Sequence, residues 1–126
     1  MDHSLDPETW FPYCPYYAVA SDILSRRWAP TVLRALVTGP KRFGAIAAAI
    51  PDITDKLLSQ RLKDLEDEGL VERFLGEGRP ARVEYRLTEK GTELGQVLLD
   101  INRWALKWVD PQDRGPAPKT PATTRR

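Results

Sequence analysis

The sequence contains one cysteine, one histidine and no long apolar run. A single thiol, Cys14, excludes an intrachain disulfide framework, and His3 alone leaves no metal cluster with ligand spacing, so no metal or cofactor is predicted. The longest apolar run, 43–50, is far shorter than the ~20 residues that a membrane span requires. The acidic start, MDHSLDPE, lacks the charged and apolar regions of a signal peptide. We expect a cytoplasmic protein with no membrane segment.

The charge is nearly balanced, with 19 Lys and Arg residues against 18 Asp and Glu residues and a formal net charge of +1. The chain as a whole is therefore unlike a strongly basic coat protein, and an anionic partner must be met by a local cationic patch. Groups for enzyme chemistry are also scarce. Cys14 has no histidine to act as its base except His3, and paired carboxylates occur only on helix faces that we expect to be solvated. No enzyme is predicted.

A length of 126 residues allows one domain with a modest core. The end of the chain, 110–126, is rich in proline and has almost nothing apolar, so it buries too little surface to offset the entropy of ordering. We predict a disordered tail there and a flexible N-terminal segment at 1–12. The folded domain is expected at 13–109.

The apolar pattern is helical in five segments of this domain: 16–24, 29–37, 42–49, 54–68 and 88–108. Gly39-Pro40 ends the second segment, and Pro51 disfavours the helical conformation at Ile50. Thr54 is well placed as the N-cap of the fourth segment.

Between residues 71 and 87, the period of the apolar residues changes from that of a helix to two residues. Val71, Arg73 and Leu75 alternate with Glu72 and Phe74, and Val83, Tyr85 and Leu87 alternate with Arg82, Glu84 and Arg86. These patterns predict two strands of a hairpin. Their connection, 76–81, is too polar and too rich in Gly and Pro for a core, so it is predicted to project as a loop.

The fourth helical segment is cationic in its first half and acidic in its second, from Asp64 onward. Leu58, Leu62 and Leu65 form one stripe, so the polar residues face the opposite way. Two helices joined by a short turn and followed by a hairpin with a basic tip form the order of a winged helix-turn-helix, whose second helix enters the major groove of DNA. We interpret the acidic half as the part of the helix that lies beyond the DNA phosphates. For this helix alone, an ordinary solvated face remains the alternative.

The chain resembles the HxlR-type regulators, a branch of the MarR-like winged-helix transcription factors of bacteria. The resemblance rests on Cys14-Pro15, Trp28, GPKRF at 39–43, SQRLKDLEDEGLVER at 59–73 and RVEYRLTEKG at 82–91. It covers roughly 14–109. It implies a dimer that binds DNA, a recognition helix at 54–68, a wing at 76–81 and a sensing cysteine at position 14. Where the family has a glycine-containing stretch before the tryptophan, this chain has Ser25-Arg26-Arg27.

The predicted contacts with double-stranded DNA are made by Arg42, Thr54, Lys56, Ser59, Gln60, Lys63, Arg79 and Arg82. Gln60 can pair with adenine through two hydrogen bonds. For Arg42, the sequence favours neither of two roles, a contact with a phosphate or a solvated surface charge. Arg79 is expected at a phosphate or in the minor groove. Arg61 lies at the edge of the leucine stripe and can pack its stem instead.

The predicted dimer interface combines the first and last helices. Its residues are Tyr16, Tyr17, Leu94, Leu98, Ile101, Trp104, Ala105 and Trp108. The last helix has more apolar face than one hairpin and three helices can cover, and Trp10, Phe11 and Tyr13 add to the aromatic cluster. A pocket for a small aromatic effector is the alternative for that cluster.

Cys14 is either a small buried apolar residue or a sensor. Its position before the first helix, whose N-terminal dipole favours a thiolate, supports a sensor of oxidants or electrophiles. The sequence thus predicts a DNA-binding transcriptional regulator that acts as a homodimer on a near-palindromic operator and is switched through Cys14. The alternatives are a winged-helix module for protein-protein docking and a regulator that responds to a noncovalent small-molecule effector.

Overall fold

The structure is a computed structural model that describes residues 12–114. Its elements in chain order are α1 (Pro15–Leu24), α2 (Ala29–Ala35), α3 (Phe43–Ala49), α4 (Asp55–Asp67), β1 (Val71–Leu75), β2 (Val83–Leu87), α5 (Glu89–Trp108) and α6 (Pro111–Arg114). The five helices and the hairpin predicted from the sequence are all present, in the order of a winged helix-turn-helix. Over the described range, no helix is long and apolar enough to cross a membrane.

The core lies where α2, α3 and α4 pack against the start of β1 and one side of α5. Its fully buried members are aliphatic, and include Val32, Leu33, Leu36, Ile46, Leu58, Leu62, Leu65 and Leu70. No residue of α1 is fully buried, although Ile23 and Leu24 at its end pack against the core. The hydrophobic stabilisation is therefore concentrated in the helix-turn-helix, and α1 extends from it with one side uncovered.

Short polar side chains begin both long helices, as their caps. The Thr54 hydroxyl accepts a hydrogen bond from the Leu57 amide at 3.1 Å, as predicted, and the Thr88 hydroxyl accepts one from the Gly91 amide at 3.0 Å. Each bond satisfies one of the amides that the first turn of a helix leaves unpaired.

Gly69 ends α4 in the left-handed region, with φ of +77°. Its amide donates to the Glu66 carbonyl and the Leu70 amide donates to the Leu65 carbonyl, both at 2.9 Å. This pair of bonds is the Schellman motif, which favours glycine at this position because a side chain there is strained. The motif turns the chain directly from α4 into β1.

The hairpin pairs β1 with β2 in antiparallel register, from Val71 opposite Leu87 to Leu75 opposite Val83. A third segment joins it. The amide and carbonyl of Lys41 exchange hydrogen bonds with the carbonyl and amide of Tyr85, at 3.0 and 2.8 Å. Because Lys41 immediately precedes the N-cap of α3, this bridge fixes the hairpin relative to the helix-turn-helix.

The end of α2 differs from the prediction by two residues. α2 ends at Ala35 and not at Val37, because the next residues form turns in which the Leu36 and Val37 amides donate to the Leu33 and Arg34 carbonyls. Trp28, directly before α2, is its N-cap in the left-handed region, with φ of 73°. Its ring is half-buried against the core.

The segment 110–126, predicted to be disordered, begins with the one-turn helix α6. Pro111 occupies the first position of this turn, where its missing amide costs nothing, and the Asp110 carboxylate accepts a hydrogen bond from the Gln112 amide at 2.9 Å. These two local features explain an element that composition alone did not predict. The remaining tail, 115–126, and residues 1–11, among them His3, Trp10 and Phe11, lie outside the described residues.

Candidate nucleic-acid interface

α4 has one buried and one exposed face. Leu58, Leu62 and Leu65 are buried in the core. The predicted DNA contacts Lys56, Ser59, Gln60 and Lys63 are exposed away from that stripe. Two cations and two neutral hydrogen-bonding groups therefore share one accessible helix surface, and such a surface can meet phosphates and base edges together.

Two of the other predicted contacts lie at helix starts. The Thr54 side chain is exposed, but its hydroxyl oxygen is already engaged in the cap of α4. Arg42 is the N-cap of α3, with an exposed side chain that does not take part in capping. Its guanidinium is accessible beside the helix-turn-helix, so both alternatives for Arg42, a phosphate contact and a solvated charge, remain open.

A connected set of hydrogen bonds runs across the flank of α4. The Gln60 Nε2 donates to Asp64 Oδ1 at 2.9 Å, and the Arg61 Nη1 donates to Asp64 Oδ2 at 3.0 Å. The Arg61 Nε also donates to the backbone carbonyl of Arg27 at 2.7 Å, in the turn between α1 and α2. The interpretation that the Arg61 stem packs at the edge of the stripe holds in part, because the side chain is mostly buried and its head is fully engaged.

The acidic half of α4 faces cations of the protein itself. Asp67 lies 3.9 Å from the Lys63 amine, and Glu68 lies 3.5 Å from the Arg26 guanidinium. The Lys90 amine donates to the Glu68 carbonyl at 2.6 Å, and a cation at this end of the helix complements its dipole. Asp64, Asp67 and Glu68 thus have cationic partners within the chain. The sequence analysis interpreted this half of the helix as lying beyond the phosphates, with an ordinary solvated face as the alternative.

The hairpin carries the cations expected of a wing. Arg79, in the connection 76–81, and Arg82 are exposed, and neither makes an ion pair within residues 12–114. Arg86 is engaged instead: its Nε donates to a Glu72 oxygen at 2.6 Å, and its guanidinium lies over the Phe74 ring at 3.9 Å from the centroid. Arg73 is also exposed on β1, and the sequence analysis did not include it among the contacts.

A second surface, formed by α1 and α5, is apolar and exposed. Tyr16 and Tyr17 of α1 and Ile101, Trp104 and Trp108 of α5 are all more than half exposed. The same holds for Tyr13, which the sequence analysis placed in the aromatic cluster, and for Val19 and Leu106, which it did not assign to an interface. Large apolar side chains exposed on two helices are candidates for an interface with another molecule.

Three residues of the predicted interface are less accessible than expected. Leu98 is only 6% exposed and belongs to the core of its own chain, and Leu94 packs against that core. Ala105 is half-buried. α5 packs against α2 and β2. In its first half, Gly91 lies against the backbone of Leu70 and Gly95 against the Val37 side chain, so the apolar residues there are already covered. The exposed apolar residues of α5 begin at Val97 and lie mainly after Leu98.

Cys14 is the N-cap of α1 and is half-buried, with no side-chain cap. It lines an open groove of about 450 Å³ together with Tyr13, Tyr17 and Asp22. The nearest cations in sequence are engaged elsewhere, since Arg26 pairs with Glu68 and Arg27 lies 5.2 Å from the Trp28 ring centroid. In the described part of the chain, no cluster of His, Cys, Asp and Glu side chains could hold a metal ion.

The residue spacing could have indicated part of the α4 network. Gln60 and Asp64 are four apart and Arg61 and Asp64 are three apart, and side chains at these spacings meet on a helix. The bond between Arg61 and the Arg27 carbonyl joins residues 34 apart in sequence, so no local pattern predicts it.

The family model of the HxlR-like helix-turn-helix matches residues 23–113. Among curated relatives, the HTH-type transcriptional regulator YvaP of Bacillus subtilis is 45% identical over 98 residues, which cover 78% of this chain and 91% of YvaP.

Two regulators with solved structures are similar in both sequence and fold. The reduced form of the transcriptional regulator YodB from B. subtilis has a TM-score of 0.68 at 40% identity, covering 79% of this chain and 97% of YodB. YodB has also been solved after diamide treatment and with bound quinone, with TM-scores of 0.63 and 0.64. The oxidized form of the redox regulator HypR has a TM-score of 0.69 at 31% identity, covering 77% of this chain and 99% of HypR.

Proposed function

The chain belongs to the HxlR-like helix-turn-helix family of transcriptional regulators, and we propose that it acts as a homodimer on a near-palindromic DNA operator. The named relatives are regulators and not enzymes, in agreement with the scarcity of catalytic groups in the sequence.

The observation that carries the proposal is the exposed polar face of α4. It holds Lys56, Ser59, Gln60 and Lys63 on a helix whose opposite face is locked into the core, and a helix of this width fits the major groove. The hairpin next to it presents Arg79 and Arg82. We assign α4 to base edges and phosphates of the major groove, and the hairpin to the neighbouring phosphates or minor groove.

The homodimer is proposed from the exposed apolar surface of α1 and α5. Tyr16, Tyr17, Ile101, Trp104 and Trp108 form its centre, joined by Tyr13, Val19 and Leu106. A two-fold interface pairs the same surface on both chains and presents two copies of α4 to successive major grooves. An operator with inverted half-sites follows from that symmetry. The folded unit is proposed to be 13–109.

We further propose that oxidants or electrophiles modify Cys14 and change the spacing of the two recognition helices. Cys14 begins α1, which is part of the proposed interface, so a group added to its sulfur acts on the contact between the two chains. YodB has been solved in reduced, diamide-treated and quinone-bound forms and HypR in an oxidized form, and these structures support this chemistry by similarity. A direct Cys14 to Cys14 bridge needs Cα atoms within about 7 Å; a mixed disulfide or sulfenic acid has no such requirement.

The groove beside Cys14 favours a second candidate for the switch. Tyr13 and Tyr17 line it with aromatic surface and Asp22 adds a carboxylate, which suits a small aromatic effector that binds without a covalent bond. In that case the effector acts on the same end of α1.

The proposal is tested by measuring duplex binding at two salt concentrations. Phosphate contacts release counterions, so six to ten contacts by a dimer should lower the affinity by about 10³ to 10⁵-fold between 50 and 200 mM salt. Lys63→Ala on α4 should lower the salt slope by about one unit per chain, or about two for the dimer, whereas Lys107→Ala near the end of α5 should leave it unchanged. Absence of duplex binding at both concentrations would support the docking module and contradict the proposal.

A further inference from the structure

The Gln60 side chain is hydrogen-bonded to its own helix on the surface of α4. Its Nε2 donates to Asp64 Oδ1 at 2.9 Å, and Asp64 is held at its other oxygen by Arg61 Nη1 at 3.0 Å. Arg61 is held in turn by the Arg27 carbonyl, at 2.7 Å from its Nε. Three hydrogen bonds thus join Gln60 to the backbone of the turn between α1 and α2.

The inner members of this set are protected from solvent. The side chains of Arg61 and Asp64 are 18% and 22% exposed, so water competes for their bonds less than it does on an open helix face. The guanidinium is planar with donors in fixed directions, so two different acceptors fix its orientation. The final acceptor is the Arg27 backbone carbonyl, in a turn that packs on the core through Trp28.

The chemistry of the carboxylate decides which way the Gln60 amide faces. An ionised carboxylate only accepts hydrogen bonds, so the amide must present its nitrogen to Asp64 and cannot present its oxygen. One N–H and the Oε1 acceptor remain for another partner. Adenine offers N7 as an acceptor and N6–H as a donor at its major-groove edge, which matches these two groups.

We propose that Asp64 is a positioning residue for base recognition, which orients the Gln60 amide toward adenine while Arg61 anchors Asp64 to the turn between α1 and α2. This inference rests on the proposed DNA-binding function and assigns Asp64 no contact with DNA. A carboxylate near the phosphates also repels them, so the same residue lowers the affinity for every duplex and raises the selectivity among duplexes.

A role limited to helix stability predicts a different outcome. An ion pair or hydrogen bond that only stabilised α4 would change the affinity for all duplexes in the same proportion. The substitution Asp67→Ala provides the matched control, because it removes the same negative charge from the same helix as Asp64→Ala. Among residues 12–114, Asp67 pairs only with Lys63, at 3.9 Å on an open surface, and no hydrogen bond connects it to Gln60.

The experiment begins with duplexes selected by the wild-type protein from a randomised pool. Binding is then measured to the selected duplex and to versions with the adenine of each half-site replaced. Gln60→Ala should abolish the preference for adenine at one position, and Asp64→Ala should reduce that preference about tenfold. Asp67→Ala should retain the preference. Both acidic substitutions should increase the affinity for an unrelated duplex.

A spectroscopic measurement separates positioning from folding. The side-chain amide protons of Gln60 should shift in nitrogen-proton correlation spectra of Asp64→Ala and stay in place in Asp67→Ala, while circular dichroism remains that of the wild type. Asp64→Asn keeps the size of the side chain but offers one acceptor oxygen, so it should lose part of the preference even if the alanine variant does not fold.

The outcomes are distinguishable. If Gln60→Ala loses the preference and Asp64→Ala keeps it in full, the positioning role is overturned and the DNA-binding function stands. If Gln60→Ala changes no position, base recognition by Gln60 is wrong, and the positioning role is wrong with it. If the wild type selects no duplex, the proposed function itself fails.

Discussion

The acidic side chains of α4 act as partners within the chain. Asp64, Asp67 and Glu68 pair with Arg61, Lys63 and Arg26. The pair that involves Lys63 lies on an open surface and stabilises α4 by only about 0.3–0.5 kcal/mol. The Glu68–Arg26 pair joins the end of α4 to the turn before α2, which in this chain reads Ser25-Arg26-Arg27. The Asp64–Arg61 pair lies within α4 and is connected to the same turn by the hydrogen bond from Arg61 to the Arg27 carbonyl. The Arg26 side chain and the Arg27 carbonyl therefore hold this turn against α4.

Cys14 is the residue at which a chemical signal is proposed to enter. Treatment with peroxide, diamide or a quinone should lower the affinity of the wild type for its selected duplex, because a modified sulfur at the start of α1 disturbs the contact between chains. Cys14→Ser should bind the untreated duplex normally and should not respond. Binding and mobility on a non-reducing gel are measured together, so that a bridge between chains is distinguished from a modification of one chain.

Cys14→Ser is the control for this prediction, because Cys14 is the one cysteine in the sequence. An equal response of wild type and Cys14→Ser would contradict the covalent switch. The groove lined by Tyr13, Tyr17 and Asp22 would then become the candidate site for a noncovalent effector.

Among the elements, the hairpin is tested at Arg79, the exposed cation within its connection 76–81. Arg86 is stacked on Phe74 and paired with Glu72, so it stabilises the hairpin, whereas Arg79 makes no ion pair in the range 12–114. Arg79→Ala should weaken binding to specific and unrelated duplexes alike and lower the salt slope by about one unit per chain, or about two for the dimer. Arg79→Lys keeps the charge and should restore the slope. An unchanged slope in Arg79→Ala would place the tip of the hairpin away from DNA.

The elements themselves were predictable where their signals are local. The strand ranges, the Thr54 cap and the leucine stripe of α4 agree with the sequence analysis, because alternation, capping residues and helical spacing operate over a few residues. The bridge between Lys41 and Tyr85 and the left-handed backbone of Trp28 were not predicted. Both depend on how distant segments meet, which no local pattern contains.

The same distinction applies to the candidate site. The exposed face of α4 follows from its leucine stripe, so Lys56, Ser59, Gln60 and Lys63 could be assigned from the sequence. The anchoring of Arg61 on the Arg27 carbonyl could not, because it depends on the path of the turn before α2. The assignment of Leu98 to a dimer interface also failed at this level: helical spacing shows which residues share a face but not how much of the face the chain covers itself.

At the scale of the whole molecule, two surfaces of different character coexist. α4 and the hairpin carry exposed polar and cationic residues, and α1 and the second half of α5 carry exposed aromatic and aliphatic ones. α5 has 20 residues and is therefore about 30 Å long, with Trp104 and Trp108 exposed on its final turns. Because the net charge is only +1, any attraction to DNA depends on the local cations of α4 and the hairpin. The apolar surface of α1 and α5 is suited to contact with a copy of the same chain.

Hydroxyl-radical footprinting on the duplex selected by the wild type tests the central claim most directly, since it reports both DNA recognition and two-fold symmetry. The account predicts two protected regions on an inverted repeat, related by a two-fold axis, with centres about 34–36 Å apart or a multiple of that distance. Lys56→Ala should weaken both regions equally. One protected block without symmetry, or no protection of a duplex that the protein retains, would contradict recognition by a two-fold dimer.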